Sequence, residues 1–378
     1  MRAPGQGGSV TAAPDRVPVT GAWPAGDPAG RRQWVRSSLR LEAGGTLDFE
    51  LAYETWGTLN ADGSNAVLVQ HALTGDSHAA GEAGPGHPTA GWWDGLIGPG
   101  RALDTDELFV VAPNVLGGCQ GSTGPASLAP DAKPWGSRFP SITVRDQVHS
   151  EQTLANALGV DRWALVLGGS MGGMRALEWA VSLPARVASL LVLAAPAASS
   201  ADQIAWAAPQ LHAIRSDPGW RGGDYYDAPP GAGPHAGLGV ARRIAHVTYR
   251  GEAELVQRFG RTPQGDGRFA VESYLDHHAA KLVRRFDANS YLLLTESMNS
   301  HDVGRDRGGV GAALSRVSAR TIVAGVDSDR LYPLYQARDL AAGIPGAGEA
   351  AVISSPYGHD SFLIETPQVA ALIKALLG

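Results

Sequence analysis

A chain of 378 residues with 44% hydrophobic side chains can bury a large core, and its formal net charge of −6 includes no long block of Lys or Arg. This excludes a wholly disordered chain and argues against a dedicated nucleic-acid or anionic-membrane surface. The single cysteine, Cys119, excludes an intrachain disulfide framework and a multi-cysteine zinc site, as suits a reducing cytoplasm.

Residues 1–30 are rich in Gly, Pro and Ala and read as a loosely ordered arm with no secretory apolar stretch. Residues 31–199 open an α/β core. "LDFELAYETWG" alternates apolar and polar side chains, as a half-buried strand does. "AVLVQHAL", "LFVVAPNVLG", "WALVLGGS" and "ASLLVLAAP" are short, nearly continuous apolar runs closed by glycine, proline or polar turns. Such runs suit strands buried on both faces of a mostly parallel sheet. Between them, "TVRDQVHSEQTLANALG" and "GGMRALEWAVSLP" space their apolar residues as helices do, the first closing on Gly159. Alternating strand and helix predict a doubly wound sheet with helices on both faces.

Residues 200–310 break that rhythm. "ADQIAWAAPQLHAIRS", "GLGVARRIAHVTYRG", "AELVQRFGR" and "ESYLDHHAAKLVRRFDANSYLLLTESM" read as consecutive helices, and "DPGWRGGDYYDAPPGAGPHAG" as a long loop, together an inserted lid. Residues 311–378 return to the core with the strand-like "ARTIVAGV" and "AAVISSPYGHD" and end on the helix "TPQVAALIKALLG". No apolar run reaches the roughly 18 residues that span a bilayer.

Gly168-Gly169-Ser170-Met171-Gly172 fits G-x-S-x-G at a strand-to-helix corner, the setting of a nucleophile elbow. There a serine takes strained backbone angles, and its neighbours must lack bulky Cβ groups. In the α/β-hydrolase order the serine is followed by an acid and then by a histidine. Only His301 and His359 fall late enough. His301 precedes the penultimate strand, before the acid should appear, whereas His359 follows the last strand, where the base belongs. The acid is expected after "ARTIVAGV", as Asp327 or Asp329, and composition and spacing leave both open. The oxyanion donors are expected from the backbone amides of Met171 and of Leu73 in "HALTGDSH". Cys119 sits in a glycine-rich loop with no adjacent cation to activate it. No metal is expected: there is no HExxH, and His277 and His278, adjacent on a helix, point about 100° apart.

In order and spacing, "AYETWGTLN", "HALTGDSHAAG", "GWWDGLIGPGRALDTD", "VAPNVLGGCQGSTGPAS", "GGSMGGMRALEWA", "GLGVARRIAHVTYR", "SDRLYP" and "YGHDSFLIE" resemble the homoserine O-acetyltransferases of methionine biosynthesis. The resemblance spans about residues 33–375. It implies an α/β-hydrolase core with a helical lid, a cytoplasmic homodimer without resident cofactor, and ping-pong transfer from acetyl-CoA as co-substrate to L-homoserine through an acyl-serine. It implies Ser170 as nucleophile, His359 as base and, through the SDxLYP motif, Asp329 as the acid. It adds two substrate-binding positions, Asp360 and the lid arginine Arg242, which stands next to Arg243. Relatives that transfer succinyl groups or act on serine, and esterases of the same fold, are the alternatives. A succinyl carboxylate would call for an extra cation in the acyl pocket, and the loop from Ala112 to Leu128 supplies none.

Overall fold

The computed structural model describes residues 16–378. Eight strands form one sheet: β1 (Gln33–Arg40), β2 (Thr46–Trp56), β3 (Ala66–Gln70), β4 (Phe109–Pro113), β5 (Leu165–Gly169), β6 (Ser189–Leu193), β7 (Arg320–Val326) and β8 (Ala351–Ile353). Their spatial order is β1-β2-β4-β3-β5-β6-β7-β8. β2 pairs antiparallel with β1 and β4, and every other pairing is parallel. From β3 the chain steps to β4 on one side and later returns to β5 on the other. That reversal opens a crevice at the carboxyl ends of β3 and β5, where α/β sheets bind ligands.

Every residue of β3, β4, β5 and β6 is buried, because helices cover both faces. The period of two divides their side chains between two cores. Val166, Leu190 and Val192 pack with α1 (Val144–Ala157) and α2 (Met171–Ser182). Leu165, Leu167, Leu191 and Leu193 face the other way, toward Trp93, Leu96 and Phe362 and toward the C-terminal helix residues Val369 and Ile373.

Between β6 and β7 the chain leaves the sheet and builds α3 (Ala201–Arg215), α4 (His235–Tyr249), α5 (Glu252–Phe259), α6 (Ala270–Val283) and α7 (Ala288–Asn299). The short α8 (Val310–Leu314) leads back, and α9 (Leu334–Gly343), α10 (Ser361–Ile364) and α11 (Thr366–Leu377) complete the core. This is the α/β-hydrolase architecture with a helical lid inserted. Among the described residues no helix is long and apolar enough to cross a membrane.

Besides the short α8 and α9, which the sequence reading does not name, two features depart from the sequence expectation. β1, which the sequence reading does not find, is an edge strand with no fully buried residue, so it carries no apolar run. The segment read as one helix from Glu272 to Met298 is two, α6 and α7. Asp287 sits at the break with an extended backbone, and its side chain accepts from the amide of Ser290 as the N-cap of α7. The same carboxylate accepts from Tyr225, Tyr226 and Thr20, which pins the glycine-rich lid loop and the end of the N-terminal arm to the lid. Of that arm, residues 1–15 lie outside the described residues. From Val17 it runs along the lid and core, with the amide of Trp23 donating to the Cys119 carbonyl at 2.8 Å.

Candidate active site

The corner between β5 and α2 places Ser170 at φ 57°, ψ −126°. A non-glycine residue there carries strain of order 1–3 kcal/mol and persists only where its surroundings fix it. The Ser170 amide donates to the Leu193 carbonyl at 2.9 Å, which ties the corner to β6. The approach of the backbones explains the flanking glycines: a Cβ on Gly172 would lie 2.1 Å from the Gln70 carbonyl oxygen, and one on Gly168 would lie 2.5 Å from the Gly172 backbone. Only glycine fits in either place.

His359 lies in a single turn after β8, with Nδ1 2.6 Å from Asp329 Oδ2. Asp329 follows β7, and its other oxygen accepts from the amides of Leu331 and Tyr332 at 2.8 and 2.9 Å. Both carboxylate oxygens are thus committed, and the imidazole is left with its proton on Nδ1. Its Nε2 is buried and has no hydrogen-bond partner among the described residues. Tyr332 packs beside this pair, with its ring centroid 4.9 Å from that of His359. Burial raises the Tyr332 pKa, so the phenol stays neutral. Asp327, the other candidate acid, accepts instead from Ser354 Oγ and the Ser355 amide, and so ties the end of β7 to the end of β8.

Leu73 lies in the loop after β3 and Met171 at the first position of α2, both buried in one cluster. The Leu73 loop is fixed from below by residues that the sequence reading misses. His71 Nδ1 donates to the Ala72 carbonyl, and its Nε2 accepts from the Val115 amide at 3.0 Å. Burial pushes the His71 pKa down to about 3, so the ring is neutral and suited to both bonds. Arg175 donates to the His71 carbonyl at 2.7 Å and pairs with Glu151 at 2.7 Å, with neither side chain exposed. Glu151 also accepts from Gln70 and Trp179. Removing one partner would strand the other charge in the core, so Arg175→Leu should lose about 3–5 kcal/mol of unfolding free energy. Urea unfolding measures this, and a midpoint equal to that of the parent chain would refute it.

In the lid, Arg242 of α4 places its guanidinium 5.4 Å from the centroid of the Tyr249 ring, which itself lies 5.8 Å from His359. Arg242 Nε and Nη1 are buried without hydrogen-bond partners among the described residues. Its neighbour Arg243 points elsewhere and pairs with Asp276 at 2.7 Å on the surface. Asp360 lies 3.5 Å from Arg250, which is held by Glu254 one turn along. Burial raises the Asp360 pKa, against the lowering influence of Arg242, His359 and Arg250. Two cations, Arg242 and Arg250, and the carboxylate of Asp360 thus lie close to His359, and Arg250 is the one the sequence reading does not single out.

His301 is buried away from this site against the Pro196 carbonyl. Burial pushes the Cys119 thiol up to about 12, which leaves it inert at neutral pH. Among the described residues, Glu54, His78 and His87 bring possible metal ligands within 4.8 Å of one another. The two rings stack at 3.8 Å and 9°, however, and a metal bonds imidazole in the ring plane at about 2 Å, so parallel planes this far apart cannot share an ion. The trio is a hydrogen-bonded cluster, with Glu54 accepting from Ser77 and facing His78 Nδ1 at 3.0 Å.

The family described as the alpha/beta hydrolase fold matches residues 65–366. The homoserine O-acetyltransferase of Thermobifida fusca (strain YX) is 68% identical over 370 residues, which cover 96% of this chain and 97% of that relative. The chain belongs to the homoserine O-acetyltransferase family. The solved homoserine O-acetyltransferase from Bacillus anthracis superposes with a TM-score of 0.82 at 27% identity, covering 92% of this chain and 98% of that one. Esterase E22 superposes with a TM-score of 0.84 at 25% identity, covering 92% of this chain and 99% of that one. One architecture thus serves transferases and hydrolases alike, and the chemistry must be argued from the site.

Proposed function

We propose that this enzyme transfers an acetyl group from acetyl-CoA to the γ-hydroxyl of L-homoserine by a ping-pong route through acetylated Ser170. His359 Nε2 takes the proton of Ser170 Oγ as the oxygen attacks the thioester carbonyl. The tetrahedral oxyanion accepts from the amides of Leu73 and Met171. Collapse expels the thiolate, which takes the proton from His359, and leaves the acetyl-serine. Homoserine then gives its hydroxyl proton to His359 and attacks the ester, and the proton returns to Ser170 as O-acetylhomoserine leaves. Asp329 keeps the ring in the working tautomer and stabilises its charged form.

The observation that carries the transferase reading is Arg242. A buried guanidinium with two unused donors, one aromatic ring from the base, fits the carboxylate of an amino-acid acceptor. Asp360 supplies the anion for its ammonium. Water needs neither group. The exposed Ile204, Trp206 and Val240 on α3 and α4 are apolar surface that a homodimer would cover.

Free thiol release from acetyl-CoA, followed with and without L-homoserine, separates this reading from that of an esterase like E22. Strong stimulation by homoserine, above that by L-serine and above the rate with succinyl-CoA, is the expected result. Equally fast release without an acceptor would make the chain a hydrolase. Arg242→Ala should lower kcat/KM for homoserine on the order of 10²-fold and leave acetylation of Ser170 nearly intact. Equal losses in both half-reactions would remove Arg242 from the acceptor site.

A further inference from the structure

A second cavity, of about 310 Å³, lies where the lid meets the loop that carries Leu73. Ala72, Thr74 and Asp76 of that loop line it, with Leu363 from the segment after His359, Lys281 near the end of α6 and Arg285 just beyond that helix. Arg32 and His78 line its core side. The only carboxylate in the lining is Asp76, which Arg285 already pairs at 3.2 Å. Arg285 also donates to the Thr74 carbonyl, so the lid is latched to the loop at this point.

The remaining cations are only partly compensated: Arg32 feels the charges of Asp76 and Glu54 but makes no ion pair with either. Arg32 is buried, and its hydrogen bonds go to the carbonyls of Ala29, Gly86 and Gln120 and to the Gln120 side-chain oxygen, none of which is charged. Lys281 has no ion-pair partner among the described residues. His78 is only 4% exposed, its Nδ1 faces Glu54, and its Nε2 is buried without a partner. Against burial, which lowers it, the hydrogen bond and charge of Glu54 raise the His78 pKa. A buried imidazole Nε2 without a partner, beside three cations that outnumber the two carboxylates near them, Asp76 and Glu54, is a setting for a multiply charged oxyanion. An apolar or cationic ligand would leave these donors unmet.

We propose that this cavity holds phosphate groups from the nucleotide end of the acyl donor, and so gives the enzyme its preference for a coenzyme A thioester over a simple one. The inference rests on the acetyl-CoA-dependent reading above. The cavity shares the Leu73 loop and the His359 segment with the reaction site, so a donor held here by its phosphates has its acyl arm directed along those walls. Lys281 is exposed, and replacing it leaves the core undisturbed.

The test compares acetyl-CoA with S-acetylpantetheine, which carries the same acyl arm and no phosphate. Lys281→Glu should raise KM for acetyl-CoA about tenfold with kcat little changed, and KM for S-acetylpantetheine should not follow. Adenosine 3′,5′-bisphosphate should compete with acetyl-CoA and lose potency in the variant by a similar factor. Inorganic phosphate, the other source of the same chemistry, should compete far more weakly. Equal KM changes for both donors, no change for either, or inorganic phosphate matching the bisphosphate would overturn the assignment. Normal homoserine acetylation with an unmoved KM would defeat the cavity alone, whereas a parent chain inactive with acetyl-CoA would defeat the reading beneath it and this inference with it.

Discussion

Asp329→Asn should lower turnover by about 10⁴-fold while the protein stays folded. The native carboxylate splits its two oxygens, one taking His359 Nδ1 at 2.6 Å and the other the amides of Leu331 and Tyr332. Asparagine has a single oxygen, which the two amides will hold, so its NH₂ group turns toward the imidazole. Nδ1 must then accept, and the ring proton moves to Nε2. That is the atom required to receive the proton of Ser170, and in this tautomer it has no lone pair to do so. Asp327→Asn poses no such conflict, because Asp327 accepts from Ser354 and the Ser355 amide and does not touch the base. It should lose no more than a few-fold. Steady-state thiol release with far-UV circular dichroism as the folding control checks both variants, and a normal rate for Asp329→Asn would reassign the acid.

These two aspartates also mark where the sequence stops being informative. Both lie at the carboxyl end of β7, two positions apart, and either satisfies the chain order of a triad. Only the turn after β8 decides between them, because it brings His359 to one carboxylate and two serine-region groups to the other. The elbow is legible for the opposite reason: its constraint is local. A strand, a strained corner and a helix must follow one another within a few residues, and glycine is demanded where Gln70 and Gly172 crowd the backbone.

Residues that act through tertiary contacts leave weaker traces. Glu151 and Arg175 stand in helices whose apolar spacing is plain, and in a sequence such charges read as solvated ones. They meet only because α1 and α2 pack side by side beneath the end of β3. The same holds for Arg250, which reads as a charge at a helix end until the turn bearing Asp360 is set beside it. The break between α6 and α7 is hidden because Asp287 caps the second helix without interrupting the apolar rhythm across the joint. Backbone amides such as those of Leu73 and Met171, proposed as oxyanion donors, have no side-chain signature at all and can be expected only from the fold.

Ser170→Ala should form no acetyl adduct with acetyl-CoA and lose activity on the order of 10⁶-fold, the scale seen when the nucleophile of such a unit is removed. The corner itself should survive. Alanine can be held at the same φ of 57° by the Leu193 hydrogen bond and by α2, so loss of function would not reflect loss of structure. The strain argument sharpens this into a stability test. At this position the side chain itself is the source of strain, and glycine accepts positive φ freely. Ser170→Gly should therefore be at least as stable as Ser170→Ala despite glycine's greater freedom in the unfolded chain, and equally inactive. Intact-mass measurement after mixing with acetyl-CoA reads the chemistry, and thermal unfolding of the two variants reads the strain. An undiminished adduct in Ser170→Ala would place the nucleophile elsewhere, and a glycine variant clearly less stable than the alanine one would show that the corner stores no strain for the serine to bear.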